Sequence, residues 1–85
     1  MNWLHIELIE KIDYGYLDCM WVRLTCGSES REECFEPTTD GRWAYLDGDY
    51  EPLMPDDAQK AWEGDEGDEA LTGLWNGDFT DTVIE

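Results

Sequence analysis

The sequence predicts an α+β fold, a small antiparallel sheet of three to five strands with one or two short helices on one face. Short segments in which apolar and polar residues alternate predict the strands, and a later segment with apolar residues at helical spacing predicts a helix. The 85 residues allow one domain, which we assign to residues 1–85. Hydrophobic residues make up 41% of the chain, with five tryptophans, and this favours a folded core over disorder.

The first two predicted strands form a hairpin. Residues 4–8 (LHIEL) place leucine and isoleucine on one face, and residues 19–26 (CMWVRLTC) alternate in the same way. Residues 13–16 (DYGY) lie between them and have the composition of a turn. Each of the two strands is therefore expected to bury one face and expose the other.

The middle of the chain is more polar. Residues 27–33 (GSESREE) predict a loop, with at most one helical turn that Ser28 or Ser30 would cap. Residues 43–46 (WAYL) predict a strand that enters a turn, because the Asp-Gly pair at 47–48 readily adopts the positive φ values of tight hairpins.

Two short helices and a closing strand are predicted after Pro52. The first helix covers residues 55–62, with acidic residues in its first turn, and Gly64 and Gly67 are expected to end or interrupt it. The second covers residues 68–75 and shares one apolar face among Ala70, Leu71, Leu74 and Trp75. Residues 79–84 (FTDTVI) predict the closing strand.

Acidic residues dominate the charge of the chain. There are 22 acidic and five basic side chains, which give a net charge of -17, and fifteen of the acids lie in residues 36–85. Such a chain repels phosphate backbones and anionic lipids, so we expect it to bind neither nucleic acid nor membranes directly. No apolar run is long enough to cross a bilayer and no secretion signal is evident, so we expect a cytoplasmic protein.

The cysteines do not form a convincing metal site. Cys19, Cys26 and Cys34 are an odd number and lack the short Cys-x-x-Cys spacing typical of zinc sites, so reduced, structural thiols are expected. A disulfide between Cys26 and Cys34 stays open at this stage. Asp47, Asp49 and Glu51 resemble the start of a calcium loop, but Pro52 replaces the required glycine and Ala58 the bidentate glutamate.

No catalytic signature is present either. His5 is the single histidine and lies in an alternating strand, and no glycine-rich sequence matches a phosphate-binding loop. The chain is also short for a core and a substrate cleft together. We therefore predict a protein that is not an enzyme and that needs no metal or cofactor.

A run of acids interleaved with aromatic residues is the remaining feature. Residues 62–69 (WEGDEGDE) hold five carboxylates and no basic residue. Carboxylates steer a basic partner and aromatic side chains anchor it, so this pattern is typical of a binding surface. On an extended segment, acids two residues apart lie about 6.7 Å from each other on one face and can stand in for phosphates. The predicted partner-binding residues are Asp47, Asp49, Glu51, Asp56, Asp57, Trp62, Glu63, Asp65, Glu66, Asp68 and Glu69.

In size, acidity and lack of a catalytic signature, with an acid-rich segment from Asp40 to Glu69, the chain resembles the small DNA-mimic inhibitors of bacteriophages. These include uracil-DNA glycosylase inhibitors, anti-restriction proteins and some anti-CRISPR proteins. The resemblance implies that the protein acts in the host cytoplasm, where it occupies the nucleic-acid groove of a basic host enzyme or regulator. The alternative is a phage or bacterial adaptor that binds a host protein mainly through an apolar surface, with acids that serve for solubility.

Overall fold

The computed structural model of the protein describes residues 4–13, 15, 18–45 and 62–84. A π-helical turn, Trp62–Glu66, leads into the α-helix α1 (Gly67–Asn76). The strands are β1 (Leu4–Asp13), β2 (Asp18–Cys26), β3 (Glu29–Pro37), β4 (Trp43–Tyr45) and β5 (Asp81–Ile84). They form one antiparallel sheet in the order β4-β3-β2-β1-β5. The predicted α+β class is confirmed.

Alternation along β1 and β2 builds the core as predicted. Five apolar residues of the two strands are fully buried on the side that α1 covers, whereas Trp21 and Arg23 are exposed on the opposite, open face of the sheet. The buried set on the sheet is Leu4, Ile6, Met20, Val22, Leu24, Phe35 and Ile84. Helix α1 adds Ala70, Leu71 and Leu74 to the same cluster, so the helix covers one face of the sheet.

The loop predicted over residues 27–33 is wrong, because most of that segment is in β3. Gly27 and Ser28 alone form the turn, and Gly27 has a φ of 62°. A positive φ at the first of two central residues is the geometry of a two-residue hairpin turn that favours glycine there. Polar residues can form this strand because backbone hydrogen bonds to β2 hold it in the sheet. Glu32 also lies opposite Arg23 and forms a favourable cross-strand pair with it.

A β-bulge in β1 changes which residues face the helix. Leu8 pairs with Val22 and Glu10 with Trp21, so Ile9 is the extra residue on β1. Beyond the bulge, Lys11 pairs with Met20, a core residue, and therefore lies on the helix side of the sheet. Its Nζ donates a hydrogen bond of 2.6 Å to the carbonyl oxygen of Trp75.

The second predicted helix is confirmed with slightly longer bounds, 67–76 instead of 68–75. Gly67 is the first residue of this helix and follows the π-helical turn directly. It packs closely there, since a Cβ at that position would lie 2.6 Å from the Trp62 ring. The helix ends at Gly77, which has a φ of 81° and donates its N–H to the Leu74 carbonyl. The predicted closing strand is present as β5. The first predicted helix, apart from Trp62, and the Asp-Gly turn at 47–48 lie outside the described residues. Among those that are described, no helix has the length and apolar content needed to cross a lipid bilayer.

Candidate partner-binding surface

The structure describes part of the predicted partner-binding set. Five of its residues lie outside the described ranges, and Glu63 is placed by its backbone alone in the π-helical turn. Those outside are Asp47, Asp49, Glu51, Asp56 and Asp57. Trp62, Asp65, Glu66, Asp68 and Glu69 are described with their side chains, and they fall into three different environments.

Trp62 lies in the core and not on the surface. Its side chain is 9% exposed, and its ring centroid lies 5.7 Å from that of Phe35 on β3. The backbone of Gly67 packs directly against the indole. Trp62 therefore stabilises the fold and does not offer an aromatic anchor to a partner, which corrects its assignment from the sequence.

Asp68 is held by an internal ion pair. Arg42 donates from Nε to Oδ2 at 3.0 Å, and the backbone N–H of Trp43 donates to Oδ1 at 3.0 Å. The Trp43 indole donates in turn to the Thr72 hydroxyl at 3.0 Å. Asp68 thus ties β4 to α1, and its charge is not available to a partner as the sequence pattern had suggested.

The carboxylates of Asp65, Glu66 and Glu69 are exposed. Glu66 and Glu69 lie three residues apart on the side of α1 that faces β5, whereas Asp68 and Thr72 face β4. Within the described ranges, none of these three carboxylates has an ion-pair partner. We call Asp65, Glu66 and Glu69 the acidic triplet.

A groove separates α1 from β5 beside the acidic triplet. It has a volume of about 510 Å³, and its described lining is Glu66, Glu69, Ala70, Phe79, Thr82, Val83 and Ile84. Phe79 is 36% exposed and Val83 is 49% exposed. The Phe79 ring lies against the backbone of Gly73, where a Cβ would come within 2.3 Å of the ring. The register places the Val83 side chain on the open face of the sheet, opposite His5, so the Phe79 ring is the exposed apolar group that meets the acidic rim.

No motif in the sequence indicates this groove. The sequence of residues 79–84 predicts a closing strand and does not indicate which of its apolar residues are exposed. The exposed positions become apparent only when β5 is placed at the edge of the sheet and the glycine at 73 brings the helix onto the Phe79 ring.

Some carboxylates on the open face of the sheet have a partner among the described residues. Arg23 lies between two carboxylates, with distances of 2.8 Å to Glu7 and 3.2 Å to Glu32. His5 Nε2 lies 2.9 Å from the Asp81 carboxylate. This face therefore differs from the helix surface, where the acidic triplet has no such cations in the described part of the chain.

Two of the three thiols are in contact, because Cys19 and Cys34 share a hydrogen bond and both are buried. All three are free, and the strand register places Cys26 on the helix side of the sheet and Cys34 on the open side, so those two do not form a disulfide. Burial and a hydrogen bond with Cys19 raise the pKa of Cys34 to about 12. A thiol with this pKa stays protonated at neutral pH and is a poor nucleophile. Among the described residues, no group of three or more potential metal ligands is found.

No protein-family model, curated protein or solved structure matches the chain.

Proposed function

We propose that the protein is a non-enzymatic inhibitor that binds a basic nucleic-acid-binding enzyme or regulator by mimicking the charge of DNA. The acidic triplet carries this proposal. Its carboxylates are exposed on a helical segment anchored to the core by Trp62, and the described residues offer them no cation. As far as the described residues go, their charge is available to a partner.

The spacing of the triplet suits a phosphate-binding groove. Side chains three or four residues apart on a helix have Cβ atoms about 5–6 Å from each other. Phosphates on one DNA strand advance by about 3.4 Å per nucleotide along the helix axis. Glu66 and Glu69, three residues apart, thus cover one to two nucleotide steps, and a fixed helical support lowers the entropy lost on binding.

Capture from a bacterial lysate, with the immobilised protein as bait, tests this function. We expect the captured proteins to be basic and to bind nucleic acid, and we expect duplex DNA to release them. Release by DNA is the informative step, because an acidic bait also retains basic proteins that have no nucleic-acid groove.

Two triple variants distinguish binding by the acidic triplet from attraction by the overall negative charge of the protein. In the test variant, Asp65→Asn, Glu66→Gln and Glu69→Gln remove the charges of the triplet while side-chain size is kept. The matched control, Glu10→Gln, Asp13→Asn and Glu29→Gln, removes the same number of charges from exposed positions on the sheet. Capture that both variants weaken equally would contradict a DNA-mimic site on α1.

An apolar adaptor is the second candidate function, and the exposure of Phe79 and Val83 favours it. Exposed apolar side chains beside a groove are typical of interaction sites. In this case the bound partner would resist both high salt and competing DNA, because screening affects charge pairs far more than apolar contacts.

A further inference from the structure

We propose that the groove between α1 and β5 binds an extended basic segment of the partner, which adds to β5 as a sixth strand. This inference rests on the proposed function and names the part of the partner that is recognised. A flexible lysine- or arginine-rich arm with interspersed apolar residues has the required chemistry.

The first observation is the position of β5. It pairs with β1 on one side, and in the described sheet no strand lies on its other side. The strand contains neither proline nor lysine, residues that commonly protect sheet edges from pairing with another chain. Its edge is therefore suited to the addition of a strand.

The hydrogen-bond register shows which backbone groups point outward. The N–H of Leu8 donates to the Thr80 carbonyl at 3.0 Å, so this pair is of the hydrogen-bonded type. Pair types alternate along an antiparallel ladder. Asp81 and Val83, which lie opposite Glu7 and His5, are then in non-hydrogen-bonded pairs. Their N–H and C=O groups are directed away from β1, toward the position of an added strand.

The groove next to this edge explains both the apolar and the basic character of the segment. Side chains on one face of an added strand would point toward Phe79, Ala70 and Ile84, which supply apolar contacts. Glu66 and Glu69 border the same groove and lack cations among the described residues. Lysine or arginine side chains of the segment would pair with them, and an acidic segment would be repelled.

A labelled eight-residue peptide, Thr-Lys-Thr-Val-Thr-Lys-Thr-Val, is the probe for this site, because as a strand it presents lysine and valine on the same face. We expect binding by fluorescence anisotropy, and we expect slower hydrogen exchange at the amides of Asp81 and Val83 when the peptide is added. The same peptide with glutamate in place of each lysine is the charge control, and one with proline at every second position is the backbone control. Both controls should fail to bind.

Variants test separately the backbone edge of β5 and the carboxylates of Glu66 and Glu69. Val83→Pro removes an outward N–H without removing a bond to β1, so it should abolish peptide binding, whereas Val83→Thr should keep it. Glu66→Gln with Glu69→Gln should weaken binding about five- to tenfold, as expected for two exposed charge pairs. If the lysine-valine peptide does not bind, or binds without protecting the two amides of the unaltered protein, the inference is wrong.

The peptide-binding experiment and the capture experiment can give independent results. Peptide binding at β5 together with a lack of any DNA-releasable partner would support this site and contradict the proposed function. DNA-releasable capture that survives Val83→Pro in folded protein would overturn the site and leave the proposed function standing.

Discussion

Individual residues of the acidic run differ in role although they look alike in the sequence. Asp68 is an internal link between α1 and β4, whereas Glu69, the next residue, is exposed at the rim of a groove. Helical geometry explains the difference, because consecutive residues project about 100° apart around the axis. The acidity of the run was evident from the sequence. The pairing of Asp68 was not, since it depends on where β4 brings Arg42.

Asp68→Ala is expected to lower the free energy of unfolding by about 1–3 kcal/mol, because the partly buried N–H of Trp43 loses its acceptor. Asp68→Asn should cost less, since the amide oxygen still accepts from that N–H and only the ion pair with Arg42 is lost. Glu69→Ala is the control and should change the free energy by less than about 0.5 kcal/mol. Urea unfolding measures all three, and equal effects at positions 68 and 69 would contradict the assigned roles.

Two glycines in α1 should respond differently to alanine. A Cβ at Gly67 would meet the buried Trp62 ring and its carbonyl oxygen at 2.6–2.7 Å, so we expect a loss of about 1–3 kcal/mol in unfolding free energy. At Gly73 the clash is with the tip of the half-exposed Phe79 ring, which can rotate away. The higher helix propensity of alanine, about 1 kcal/mol, then offsets the lost contact. Comparable losses from both variants, by urea unfolding, would contradict this distinction.

The three thiols should react at different rates in the folded protein. Cys19 and Cys34 are buried and the pKa of Cys34 is raised to about 12, whereas Cys26 is partly exposed. We expect iodoacetamide at pH 8 to modify Cys26 first, because alkylation requires the thiolate. Mass spectrometry locates the label, and all three should react at similar rates in urea. Rapid labelling of Cys34 in the folded state would contradict its assigned environment.

At the scale of elements, the spacing of apolar residues predicted those strands and helices that bury one face in the core. The alternation in β1 and β2 and the apolar face of α1 follow from a core that each element must cover on one side. Strand β3 was not predicted, because its polar residues are held by backbone pairing and by cross-strand charges with β2. The bulge at Ile9 was not predicted either, since a single extra residue leaves the composition of the strand unchanged.

Lys11, which the bulge places on the helix side of the sheet, contacts the end of α1. Its ammonium group donates to the Trp75 carbonyl near the end of α1 and lies 4.4 Å from the centroid of the Trp75 ring. Lys11→Met should lower the free energy of unfolding by about 1 kcal/mol, because both the helix-end contact and the cation–π contact are lost. Lys11→Arg should retain most of the stability. A methionine variant as stable as the original protein in thermal unfolding would contradict this role.

At the scale of the whole molecule, the two sides of the sheet differ in how their acidic residues are paired. Glu7 and Glu32 on the open face of the sheet are paired with Arg23, whereas the acidic triplet on the helix side has no cation partner among the described residues. Net charge of -17 destabilises a compact chain through self-repulsion, and a basic partner would relieve that repulsion. That such a partner is basic is a prediction from the sequence, and it stays a prediction. The edge strand β5 and the groove beside it, which would orient a partner, could be identified only from the three-dimensional structure.

Competition with DNA for the purified captured partner tests the proposed function most directly. With labelled duplex DNA bound to that partner, the protein is titrated in and the release of DNA is followed by anisotropy. We predict that the original protein and the control variant Glu10→Gln, Asp13→Asn, Glu29→Gln release the DNA at similar concentrations. The variant Asp65→Asn, Glu66→Gln, Glu69→Gln should require about tenfold more protein, consistent with the loss of about 1.4 kcal/mol in binding. Failure of the original protein to release DNA, or equal release by both variants, would contradict the proposed DNA-mimic site.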